Sequence, residues 1–191
     1  MNTTRLEAFT DGVVAIIITI MVLEMRVPQG ADLTALREDV PLLLTYLLSY
    51  VNVGIFWNNH HHMLHATERI NGKVLWANLA LLFWLSLVPF VIRWINLAGF
   101  AALPTASYGV VLALAAVCYL ILEQQIIACN GPASRLALAV GSDRKGMLSL
   151  ALYGLAILLA FARPSIAIGL YVAVALLWLV PDRRIESLIG K

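Results

Sequence analysis

The 191 residues are 61% hydrophobic and only 13% charged, with the charges gathered between long apolar runs. That distribution belongs to an integral membrane protein and excludes a soluble domain. A formal net charge of +2, with no basic stripe interleaved with aromatics, gives no case for nucleic acid as a partner.

Six spans can be drawn along a single all-α transmembrane domain, at about residues 6–27, 40–65, 73–96, 104–128, 147–163 and 165–181. The first is unusual. Its uninterrupted apolar or small stretch, Gly12 to Leu23, covers only about 18 Å of the roughly 30 Å of hydrocarbon. Spanning therefore draws Asp11 and Glu24 into or against the membrane, where an acid needs a job or a partner. The N-terminus carries Glu7 and Asp11 and no small-residue cleavage site, so this helix reads as retained rather than as a signal peptide. With Ile16 as zero on a helical wheel, Ile20 falls at about +40°, Leu23 at about −20° and Thr19 at about −60°. Asp11, at about −140°, is turned away from that aliphatic face. By itself, such a stripe packs on lipid or on another helix.

The second span carries Trp57, Asn58, Asn59, His60, His61, His62 and His65 near its end, and the third opens with Trp76 and Asn78 and contains Pro89, which can kink it. Glu123, near the end of the fourth span, reads as snorkelling to the interface. Cys118 and Cys129 lie about 16 Å apart along that helix and cannot pair there. The loop from Asn130 to Gly146 includes RLALAV, which suits a short turn at the interface, and the last two spans meet at an Arg163-Pro164 corner.

Six spans put both termini on one side with Arg5, Arg69, Lys73, Arg135, Arg144, Lys145, Arg183, Arg184 and Lys191. Arg26, Arg37, Arg93 and Arg163 fall on the other, so the termini are expected in the cytoplasm. Asp11, the Trp57–His65 group and Asn78 then share one depth in the inner leaflet. One stripe of the second span, Trp57 and His61, offers an indole N–H and an imidazole to Asp11 or Thr10. Three consecutive histidines cannot converge on one ion, and His61 with His65 at i and i+4 lacks an obvious third ligand, so no metal is expected. Structural hydrogen bonding and a pH-sensitive role both stay open for these histidines.

The run from Arg5 to Ile16, with Phe9, Thr10 and Asp11, resembles the Arg-x-x-x-Phe-Ser-Asp signature of prokaryotic potassium channels related to the lysosomal channel transmembrane protein 175. Thr10 stands where that signature has serine and keeps the hydroxyl. Trp57, Asn59, His60 and His61 of the second span and Asn78 and Pro89 of the third are similar in kind and order. The resemblance implies a homotetramer of six-helix subunits in the bacterial plasma membrane, with the first helix lining a central pore. It further implies constriction rings from Ile16, Ile20 and Leu23, a pore-lining hydroxyl at Thr19, and a network of Arg5, Phe9, Thr10, Asp11, Trp57, Asn59, His60, His61 and Asn78 that fixes the pore helix. The function implied is a passive, potassium-preferring cation channel whose partners are its own copies, lipid and permeant K+, with no cofactor.

The chain has no Thr-x-Gly-Tyr-Gly loop and no regularly spaced arginine helix. Selectivity would then rest on hydrophobic rings that favour the cation losing its water more cheaply, with Glu24 as a candidate concentrator of cations at the outer mouth. The competing reading is a proton-coupled transporter using Asp11 and the His60–His61 cluster. No internal repeat supports it. An enzyme is not expected, because no acid or cysteine stands with the histidines in a nucleophile or metal pattern.

Overall fold

The computed structural model describes residues 3–140 and 144–179, within which all regular structure is helical. Helix α1, Thr3–Leu23, buries Leu6, Thr10, Val14, Ile17 and Met21, spaced three or four apart along one face. It stops at Leu23, short of residue 27, where the Met25 N–H turns back to the Val22 carbonyl ahead of Pro28. The loop that follows holds α2, Leu33–Glu38, capped by Asp32 through a 3.0 Å bond from the Ala35 N–H. Arg26 Nε then donates to Asp39 Oδ1 at 2.8 Å, tying the end of the α1 segment to the start of α3, Val40–His65.

Between α3 and α4, Gly72–Ser86, the Glu68 and Arg69 N–H groups both donate to Asn130 Oδ1, at 3.2 and 2.9 Å. Asn130 Nδ2 returns bonds to the Arg69 and Ile126 carbonyls. One amide thus brackets the α3–α4 turn to the end of α6, Ala102–Asn130. The third span is interrupted at Leu87, and α5, Val88–Leu97, continues it with Pro89 in its first turn. Proline has no N–H to give the preceding turn, so the chain tightens there and Leu87 donates to the Trp84 carbonyl, three residues back. A turn with two positive φ angles, Gly99 at 60° and Phe100 at 61°, leads into α6.

Helix α6 is the axis of the bundle, packing on α4, α5, α8 and α9, while α1 packs on α3, α4 and α5. RLALAV forms α7, Arg135–Val140, and α8, Arg144–Ala160, and α9, Pro164–Leu179, complete the described chain. Among the described residues, four stretches are long and apolar enough to cross a membrane: Thr3–Leu23, Val40–His65, Gly72–Leu97 and Ala102–Asn130. Helices α8 and α9 are shorter apolar helices. Residues 180 and 181 of the expected sixth span, and the basic Arg183, Arg184 and Lys191, lie outside the described residues.

Where α6 meets α8 and α9, space is tightest at Gly109, since a Cβ there would overlap the Tyr171 hydroxyl and lie 2.8 Å from Ile157 Cγ1. That hydroxyl is committed, donating to the Thr105 carbonyl at 3.1 Å, and the Tyr171 ring packs edge-on against Tyr108. Gly109→Ala should therefore destabilise the protein by about 1–3 kcal/mol, as overpacking does. In a detergent melting experiment its midpoint should fall, whereas Gly169→Ala, whose Cβ meets nothing within 4 Å, should not lower it.

Candidate functional site: the first helix and its polar anchor

Helix α1 has two unlike faces. One is packed into the subunit, and the other, with Ile16 60%, Ile20 41% and Leu23 76% exposed, is left largely open. Thr19, on the same open side, satisfies its hydroxyl within the helix by donating to the Ala15 carbonyl at 2.8 Å. Glu24, just beyond, is paired with Arg93 of α5 at 2.9 Å. The pairing offsets its charge, which weakens its expected part as a concentrator of cations.

The inner end of α1 is held by two rows of polar contacts. In the buried row, Asn78 of α4, with no exposed surface, donates from Nδ2 to Thr10 Oγ1 at 3.0 Å. Its Oδ1 lies 2.7 Å from His60 Nε2 of α3. With Asn78 so oriented, His60 is the donor in that bond. Thr10 and His60 are each only 2% exposed, so one amide links three helices in a site where a lost partner is costly.

The second row is more open. Trp57 Nε1 donates to Asp11 Oδ1 at 2.7 Å, and one turn further along α3 His61 Nδ1 meets Glu7 Oε1 at 3.0 Å. Because α1 and α3 run antiparallel, four residues back along α1 matches four residues forward along α3. The Trp57 and His61 rings stack at 6.0 Å between centroids, and His61 and His65 stand 5.0 Å apart.

The structure brings together Thr10, Asp11, Trp57, His60, His61 and Asn78 from the expected network. It leaves three others outside. Arg5 and Phe9 are exposed beside a groove with Leu6, Ile70, Leu75, Asn78 and Leu79. Asn59 turns its Nδ2 to the Ile55 carbonyl of its own helix, and its own carbonyl accepts from Tyr119. The imidazole of His61 goes to Glu7, a residue absent from the expected set although its i, i+4 spacing to Asp11 places both acids on one face.

If the buried row acts as a unit, Thr10→Val and Asn78→Ala should not add. Asn78→Ala should cost about 1–3 kcal/mol, because it strands the His60 donor in a dry site. A double-mutant cycle in detergent denaturation should give a Thr10–Asn78 coupling of about 0.6–1.7 kcal/mol, the range for hydrogen bonds between membrane helices.

Comparison with known proteins places this arrangement. The family described as endosomal/lysosomal potassium channel TMEM175 matches residues 5–89, which contain both rows of the anchor and the open stripe of α1. A protein from a Chryseobacterium species, named as a potassium channel, is 51% identical over 187 residues, covering 98% of this chain and 97% of its own. Another so named, from Streptomyces collinus, is 36% identical over 90 residues, covering 45% of this chain and 44% of its own. A crystal structure of a lysosomal potassium-selective channel TMEM175 homolog from Chamaesiphon minutus shares the fold, with a TM-score of 0.81 over 94% of this chain and 97% of that one, at 24% identity. Relatives named as ion channels make this chain an integral membrane protein and not an enzyme. The chain belongs to the TMEM175 family.

Proposed function

We propose that the chain is a passive, potassium-preferring cation channel, assembled as a homotetramer whose first helices surround the pore. The observation that carries this reading is the two-faced packing of α1: one face is committed to its own subunit, and a continuous aliphatic face is left open. Four-fold symmetry gives that open face a use, since one such wall per subunit closes a ring without any internal repeat. Ile16, Ile20 and Leu23 then form stacked constrictions, with the Thr19 oxygen between them. The names of the bacterial relatives support potassium as the permeant ion.

Such rings gate by dewetting when narrow, and when wide enough they favour K+, which sheds its water more cheaply than the more tightly hydrated Na+. Conduction needs no cofactor in this scheme. The chain crosses the plasma membrane six times, α8 and α9 serving as the last two spans, with both termini in the cytoplasm as the lysine and arginine count requires. The coupled-transport alternative has no support among relatives named as channels.

In proteoliposomes, K+ flux should proceed down its own gradient without an imposed proton gradient, and Ile16→Asn should wet the constriction and lower the K+-to-Na+ permeability ratio. An unchanged ratio would remove Ile16 from the filter. Mass measurement of the detergent-solubilised protein should give four chains per particle.

A further inference from the structure

We propose that Glu7, His61 and His65 form a divalent transition-metal site clamping the first turns of α1 to the last turns of α3. One ligand atom from each of the three lies within 4.8 Å of the others. Glu7 Oε1 and His61 Nδ1 are already 3.0 Å apart. Two ligands of a tetrahedral ion, each about 2.0–2.1 Å from the metal, stand roughly 3.4 Å from one another, so this pair is at coordination spacing. The remaining adjustment falls to the His65 side chain, which sits one helical turn along on the same face.

The donor set decides the class of ion. Two imidazole nitrogens and one carboxylate oxygen suit Zn2+ and its neighbours in the transition series, whereas K+, Mg2+ and Ca2+ prefer all-oxygen sites. Access is open, because the His61 and Glu7 side chains are 39% and 26% exposed and His65 is exposed. Three protein ligands leave a fourth position for water. The other two of the four histidines take no part: His60 is buried against Asn78, and His62 projects about 100° round the helix from His61. The absence of a third ligand, which argued against metal in the sequence, is removed by Glu7 arriving from another helix.

In the absence of an ion, Glu7 and His61 hold each other through their direct contact. Binding replaces the His61 Nδ1 proton, released to solvent, with the metal and draws His65 into the tie that Glu7 and His61 already make beside Trp57–Asp11. The site requires only the packing of α1 on α3 and is independent of the conduction reading.

The test is titration calorimetry of ZnCl2 into the full chain, purified without a histidine tag and held in detergent. One Zn2+ per chain should bind. Glu7→Gln and His65→Ala should each weaken binding by more than about tenfold, since loss of mere outer partners of a metal ligand already costs roughly 10–100-fold. His62→Ala should titrate as the unaltered protein does. His65 is exposed at a helix end, so His65→Ala keeps the fold and decides the matter alone should Glu7→Gln fail to purify. Absence of Zn2+ binding, unchanged affinity in His65→Ala, or equal loss in His62→Ala would each overturn the site.

Discussion

Asp11 sits a little inside the start of a helix whose next twelve residues are apolar or small, and a carboxylate there can be accommodated only where donors meet it at its own depth. The Trp57 indole is that donor, and the requirement propagates. Satisfying Asp11 fixes the depth of α1 against α3, the antiparallel register then brings Glu7 to His61, and the neighbouring face delivers Thr10 to Asn78 and His60. Rotation of α1 about its axis would break both rows at once. The face turned outward is therefore set by the face held inward.

The rest of the bundle supports this one placement. Asn78 belongs to α4, which packs along α6, and α6 in turn carries α8 and α9. Ser49, Asn52 and Tyr108 tie α3 to α6 in the buried interior, with the Ser49 and Tyr108 hydroxyls 3.0 Å apart. In hydrocarbon there is little hydrophobic gain from bringing helices together, so close packing at Gly109 and such hydrogen bonds determine which helices touch.

Much of this could be read from the residues. The shortness of the apolar run, the wheel positions of Ile16, Ile20 and Leu23, and the common depth of Asp11, Trp57 and Asn78 all follow from periodicity and the positive-inside count. The Trp57 indole is legible as a donor to Asp11, but the other pairings are not. Asn59 and His60 are adjacent, yet one side chain bonds within its own helix and the other across to α4, because about 100° of helical rotation sets Asn59 beside a cavity lined by Tyr119 of α6 and His60 against Asn78. Glu7 gains its partner only through the contact of α1 with α3. The Arg93 partner of Glu24 lies 69 residues on, and the break at Leu87, two residues ahead of Pro89, depends on how the freed carbonyls are met in three dimensions.

The Asn130 bracket has a kinetic side. The amides of Glu68 and Arg69 lie in an exposed turn, where hydrogen exchange with solvent would ordinarily be fast. Their acceptor, however, is a side chain on the final residue of α6, sixty-one or sixty-two positions away. Protection at these two amides thus reports on a distant helix end, and the turn that precedes α4 stays closed while the Asn130 side chain on the last residue of α6 holds it.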